Sequence, residues 1–128
     1  MNVKYLIDTN IIVYAAAGDK RAVAFLDQAQ RSEWVGYSAI TRLELFGFPD
    51  LKPDDEGKLR DLLACFDEVD ISSAVIEKAI AIRKQKRIKA PDAILAATAM
   101  LMSAQLATRN VDDFRGVKGL QTTNPIAS

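Results

Sequence analysis

Lys4-Tyr5-Leu6-Ile7-Asp8-Thr9-Asn10-Ile11-Ile12-Val13-Tyr14 is the stretch on which the reading of this chain turns. An apolar run short enough for a buried strand passes straight into a carboxylate and then into a second apolar segment. In an open parallel sheet the carboxyl ends of the strands border the ligand crevice, which puts Asp8 in a site position. The competing role for one isolated aspartate is to N-cap the helix that follows. The other acids of the chain weigh against that simpler role.

Outward from this stretch, strand-like runs alternate with helical patterns. The strand candidates are residues 3–7, 33–36, 68–71, 104–107 and a short one near 120–122. Between them the apolar spacing predicts helices over 11–17, 20–31, 38–46, 54–66, 72–86 and 91–103, with Gly18 separating the first two. Ser38 is a plausible N-cap, and Pro49 and Pro53 mark a loop over 48–53. Asp54, Asp55 and Glu56 are acids of a first helical turn, where the macrodipole favours negative charge. Pro91 suits a helix start. This alternation argues for an α/β fold with a parallel sheet and helices on both faces.

Composition narrows the chemistry. At 128 residues, with 49% hydrophobic and 27% charged, the chain reads as one globular domain over 1–128. It has no apolar run of membrane-spanning length and no basic leader followed by an apolar stretch, so a cytoplasmic protein is expected. The single cysteine, Cys65, lies in Leu62-Leu63-Ala64-Cys65-Phe66 and reads as a core filler. There is no histidine, which removes the usual general base and the commonest transition-metal ligand. Any metal is then held by oxygen, which selects hard ions such as Mg2+ or Mn2+. Seventeen basic residues balance seventeen acidic ones, so polyanion binding has to rest on a local patch.

Three acids stand at informative places. Glu44, flanked by Leu43, Leu45 and Phe46, sits in a helix that reads as mostly buried, where a carboxylate needs a cation or a proton. Arg42 is two positions away and points to another face, and the alternative for Glu44 is a surface acid on an amphipathic helix. Asp92 opens the apolar helix Ala93-Ile94-Leu95-Ala96-Ala97-Thr98-Ala99-Met100, where the dipole keeps it ionised; helix-start stabilisation is its simpler role. The run Leu106-Ala107-Thr108 is a second strand end, followed by Arg109-Asn110-Val111-Asp112-Asp113-Phe114.

Taken together, Ile7-Asp8-Thr9-Asn10, Thr41-Arg42-Leu43-Glu44, the segment from Pro91-Asp92 to Ala99, and Thr108-Arg109-Asn110-Val111-Asp112-Asp113-Phe114, in this order and spacing, resemble a PIN domain. Within that family the likeness is to VapC-type toxins of toxin–antitoxin pairs, and it covers nearly the whole chain. The resemblance implies a three-layer sandwich whose five-stranded parallel sheet has the order 3-2-1-4-5. It also implies a metal-dependent ribonuclease site at the strand ends. The family's three acids fall on Asp8, Glu44 and Asp92, and its companion polar residues on Thr9, Asn10 and Thr108. Its fourth acidic position falls on Asn110, a departure, because an amide oxygen can bind a metal or hold a water but adds no charge. Asp112 or Asp113 can compensate, with Asp113 preferred.

The chemistry agrees with that likeness: clustered carboxylates repel one another, and Mg2+ or Mn2+ offsets the repulsion while activating water and neutralising charge at a scissile phosphate. Asp8, Glu44 and Asp92 are the expected metal ligands, and Asn110 an auxiliary catalytic residue. The cationic run containing Lys84, Lys86, Arg87 and Lys89 leads into Pro91-Asp92 and, with Arg109, is the candidate RNA-binding surface; its alternative is a solvated helix end. The family likeness further implies a homodimer and a small antitoxin partner. Phe46, Phe48 and Leu51 are candidates to line the antitoxin groove, with core the favoured assignment. Two other functions fit the same motifs, an RNA-processing nuclease without an antitoxin and an inert binding module that has lost cleavage.

Overall fold

A computed structural model describes residues 2–127. Its centre is β1 (Lys4–Ile7), whose Leu6 and Ile7 have no solvent exposure. β1 pairs in parallel with β2 (Trp34–Ser38) on one side and β4 (Gln105–Ala107) on the other. β3 (Asp67–Val69) and β5 (Thr122–Thr123) complete a five-stranded parallel sheet of order β3-β2-β1-β4-β5. The strand ends differ from the expected spans by at most two residues. The register explains the shift at β5, where Leu106↔Thr122 and Ala107↔Thr123 leave only two residues to pair at the sheet edge.

Period-2 alternation divides the core into two layers. Leu6 and Leu106 point into a cluster with Val75, Ala79 and Ile82 of α5 (Ser73–Gln85) and Ala93, Ala96 and Ala97 of α6 (Ala90–Leu101). Their neighbours Ile7 and Ala107 point the other way. They meet Ile11 and Ile12 of α1 (Thr9–Ala16), Leu26 of α2 (Lys20–Ala29) and Leu63 of α4 (Pro53–Leu63). Helices therefore cover both faces, as continuously apolar parallel strands require.

Local chemistry sets the helix ends. Gly18, at φ +90°, turns the chain between α1 and α2, and Asp19 caps α2 through the Arg21 and Ala22 amides. Ser38 and Ser72 cap α3 (Ala39–Phe46) and α5. Pro53 belongs to α4 rather than to the loop before it, because a missing N–H costs nothing among a helix's first donors. For the same reason Pro91 is accepted at the second position of α6, which starts at Ala90. A 3-10 turn (Val111–Phe114) follows β4 and plugs Phe114 into the α6 side of the core. At Gly36 a Cβ would lie 2.6 Å from the Asp67 carbonyl, so only glycine lets β2 and β3 approach there.

Cys65 is exposed rather than buried, because α4 ends at Leu63 and the chain turns Leu63 and Phe66 inward instead. No helix among the described residues is long and apolar enough to cross a membrane.

Candidate active site

Because β1, β2 and β4 run parallel, their carboxyl ends open on one edge, where Asp8 and Thr108 follow β1 and β4 and Ser38 ends β2. Asp8 has the extended backbone of an N-cap residue (φ −69°, ψ 150°), yet its side chain makes no cap hydrogen bond. Its amide donates to the Ala107 carbonyl at 2.9 Å, which extends the β1–β4 ladder and locks the carboxylate at the sheet edge. Asp8 is only 7% exposed. Its Oδ2 accepts from Thr108 Oγ1 at 2.7 Å and from Asn10 Nδ2 at 3.5 Å. Burial pushes its carboxyl from 3.8 up to about 6; the Thr108 hydroxyl opposes that rise, the charge of Asp92 adds to it, and the Thr9 and Asn10 amides oppose it.

Asp92 lies in the first turn of α6, half-buried at the same cleft. Its carboxyl is also pushed up, first by burial and then by Asp113; Lys89 opposes, and Glu44 adds a further push. Asp8, Glu44 and Asp92 thus border one cleft, and the charge of Asp113 reaches Asp92 from the adjoining turn. The cleft has a volume of about 430 Å³ and is bordered by Asp8, Thr9, Asn10, Tyr14, Glu44 and Asp92.

Glu44 is exposed, which corrects the expectation of a buried helix: α3 buries only Thr41 and Leu45, and its other face opens on the cleft. Its needed partner is a hydroxyl. Thr9 Oγ1 donates to Glu44 Oε1 at 2.9 Å and lies 2.9 Å from Thr41 Oγ1. Arg42 turns away and binds Glu68 through Nε at 2.5 Å.

The remaining candidates divide. Thr108 Oγ1 accepts from the Asn110 amide at 3.0 Å, which shapes the turn after β4. Asn110 itself opens on an adjoining hollow of about 390 Å³ with Arg109, Asp112, Asp113 and Asn124, not on the Asp8 cleft. Asp112 is held by Arg115 Nη2 at 2.5 Å, while the charge of Asp113 reaches Asp92. Of the cationic run, Lys89 is the residue whose charge is felt at Asp92. Lys84, Lys86 and Arg87 line a separate hollow with Arg83 and Ile88.

Sequence reasoning assigned no role to Thr41, Tyr14 or Asn124. Thr41 is the buried hydroxyl behind Thr9, and its spacing of three from Glu44 on one helix was the available signal. Asn124 follows the last strand, a rim position by the same logic as Asp8, and its Nδ2 donates to the Arg109 carbonyl at 3.2 Å.

The donor set suits a hard divalent ion: carboxylate, hydroxyl and amide oxygens, with Asp8 and Asp92 held above the usual carboxylate range by burial and by neighbouring acids, Asp92 acting on Asp8 and Asp113 and Glu44 on Asp92. Among the described residues, no three acidic side chains converge closely enough to chelate an ion unaided. Mg2+ tolerates that arrangement, because it retains several waters and takes one or two carboxylates directly.

A sequence profile of the PIN domain matches residues 5–120. The chain belongs to the PIN-domain family. The β3-β2-β1-β4-β5 order is the one expected of a PIN domain. A toxin–antitoxin complex from Klebsiella pneumoniae contains a chain 33% identical to this PIN domain, matching 97% of this chain and 99% of that one with a TM-score of 0.81. FitAcB from Neisseria gonorrhoeae is 30% identical over 94% of this chain and 97% of its own, with a TM-score of 0.79. VapBC2 from Rickettsia felis, bound to a DNA fragment from its promoter, shares the fold at 24% identity, with a TM-score of 0.83 over 95% and 98% of the two chains. No curated protein sequence matches.

Proposed function

We propose that this PIN domain is an endoribonuclease that hydrolyses RNA phosphodiester bonds with Mg2+ or Mn2+, and that it is the toxin of a toxin–antitoxin pair. The observation that carries the reading is the pairing of Asp8 with Asp92 in one cleft, both carboxyls raised by burial and by neighbouring charge. Such a site is destabilised without a cation and gains from binding one. Asp8, Glu44 and Asp92 would hold the ion directly or through water, with Asp113 and Asn110, on the adjoining hollow, as auxiliary groups acting through water. When bound, the ion supplies neutralisation of phosphate charge and activation of water.

The chain's own residues then orient and position. Thr108 and Asn10 fix the Asp8 carboxylate, and Thr9, backed by Thr41, fixes Glu44. Lys89 and Arg109 supply positive charge beside the acids, with Lys84, Lys86 and Arg87 farther along the RNA path. Zero formal net charge favours exposed single strands or loops over broad duplex affinity.

The toxin assignment is supported by the 33% likeness to a chain of a toxin–antitoxin complex. An apolar groove beside the active cleft suits a small antitoxin: Val13, Ala16, Leu45, Phe48, Leu51 and Leu59 line about 430 Å³. Ile76 and Ile80, 40% and 43% exposed on α5, support a homodimer. A place in the cytoplasm belongs to the same proposal, and residues 5–120 carry the PIN domain.

The deciding experiment incubates purified protein with pooled cellular RNA, with and without EDTA. Cleavage that needs Mg2+ or Mn2+ and disappears in Asp92→Asn is expected. Cleavage that survives EDTA overturns the metal assignment, and growth unaffected by expression of an RNA-cleaving protein overturns the toxin assignment.

A further inference from the structure

Tyr14 and Arg109 lie beside the acids but take no part in holding them. Tyr14 is half-buried in α1, and its ring borders the Asp8–Glu44–Asp92 cleft. The Arg109 guanidinium carbon lies 5.2 Å from the centre of that ring. Arg109 is exposed and, among the described residues, in no ion pair, so its charge is uncommitted.

Its backbone, in contrast, is tied at both ends. The Arg109 amide donates to Asn10 Oδ1 at 3.3 Å, and its carbonyl accepts from Asn124 Nδ2 at 3.2 Å. Asn124 is itself braced, its Oδ1 accepting from the Ile126 amide at 3.1 Å. Two side-chain amides thus grip the backbone of one residue in a solvent-facing turn, on either side of its Cα, and its side chain lies over an aromatic ring. A surface arginine at a helix end or a core-filling tyrosine has no need of that arrangement.

We infer that Tyr14 and Arg109 form a nucleobase seat: the base next to the scissile phosphate stacks against the Tyr14–Arg109 pair while the phosphate faces the acids. The inference rests on the ribonuclease reading and adds the part of the substrate that is recognised. Aromatic rings and guanidinium planes are the surfaces on which unpaired bases stack, and such stacking is tolerant of sequence. A base held in a duplex cannot reach the seat, so it selects unpaired RNA.

The test uses the whole protein and single-stranded oligoribonucleotides, one series carrying 2-aminopurine at successive positions and one carrying an abasic residue there. Tyr14→Leu and Arg109→Met are each expected to raise KM about tenfold, the scale of one lost stacked base, with kcat within about twofold. Tyr14→Phe, which keeps the ring, is expected to retain the wild-type KM. An abasic residue beside the cleaved bond should raise the wild-type KM as much as Tyr14→Leu does and add nothing to that variant.

Binding is read separately by quenching of the 2-aminopurine. Quenching by the wild type and Tyr14→Phe, but not Tyr14→Leu, supports the seat even if no cleavage occurs, in which case the ribonuclease reading fails alone. Cleavage with the same KM in Tyr14→Leu as in the wild type, or no quenching at any position, overturns the seat and leaves the ribonuclease reading standing. If Tyr14→Leu fails to fold, the Arg109→Met and abasic results decide, because neither alters the α1 core.

Discussion

Thr108 Oγ1 donates a 2.7 Å hydrogen bond to Asp8 Oδ2 across 100 positions of sequence, and the same hydroxyl accepts from the Asn110 amide at 3.0 Å. One buried side chain therefore joins the carboxyl ends of β1 and β4 and holds the central acid in a single orientation. That bond lowers the Asp8 carboxyl, but burial outweighs it. The site carries an electrostatic cost in the metal-free fold, and the predictions follow from where it falls.

Asp8→Asn should abolish cleavage and at the same time stabilise the metal-free protein above pH 6. Asp8 rises from 3.8 to about 6 on folding, so the folded state holds its proton more tightly than the unfolded chain. The stabilisation from this group is complete below pH 3.8 and is lost as pH rises through about 6. That gap caps the gain in the amide variant at about 3 kcal/mol, with roughly 4 °C in Tm per kcal/mol for a chain of this size. Thermal melts from pH 4 to 8 should show the wild type losing stability relative to Asp8→Asn across that interval. Mg2+ or Mn2+ should raise the wild-type Tm at pH 8 and leave the variant unmoved; parallel pH profiles would refute the assignment.

Thr9→Val should lower kcat about tenfold while changing stability by less than about 1 kcal/mol. The lost group is the donor that aims Glu44 Oε1, and a hydrogen bond to a charged acceptor is worth about that much. Glu44→Gln should cost at least as much activity and weaken the Tm response to metal. Wild-type kinetics in Thr9→Val would show that the Thr9–Glu44 bond plays no part in catalysis.

Asp113→Asn should weaken divalent binding about tenfold, whereas Asp112→Asn should leave it within about twofold. The charge of Asp113 reaches Asp92, and Asp112 is held by Arg115. In the same hollow Asn110→Asp should tighten binding by about an order of magnitude, about 1.4 kcal/mol, by placing a charged hard oxygen where the chain carries a neutral amide. Calorimetric titration of the three variants reads both effects. Equal affinities throughout would put the whole turn outside the coordination shell.

Phe48→Glu should release the protein from its antitoxin. Phe48 is 58% exposed on the rim of the apolar groove, and a carboxylate there cannot be covered by an apolar segment without an unpaired charge. Co-expression with an antitoxin, sought as a small open reading frame next to this gene, should rescue growth for the wild type and fail for the variant, and copurification should be lost. Continued rescue would move the docking surface elsewhere.

The chain itself determined the layering and the central acid. The alternation of strands with helices requires a parallel sheet, and the step from Leu6-Ile7 to Asp8 places a carboxylate at a strand end whatever the details of packing. The set Asp8, Glu44 and Asp92 comes from the resemblance to PIN domains, because local pattern leaves each acid a simpler role as helix cap, surface acid or helix-start charge. What only the tertiary structure decided is pairing between distant segments. Local periodicity placed Glu44 in a buried helix and Cys65 in the core, but the layer facing each helix turn decides burial, and both are exposed. Nothing local distinguishes Asp112 from Asp113; the 3-10 turn sends one to Arg115 and brings the other under the field of Asp92. Likewise, Thr41 behind Thr9, Asn124 beneath Arg109 and Arg109 over Tyr14 meet only because β2, β1, β4 and β5 lie side by side. A hydrogen bond or a stacked ring depends on ångström distances between chain segments, and these exist only once the sheet has assembled.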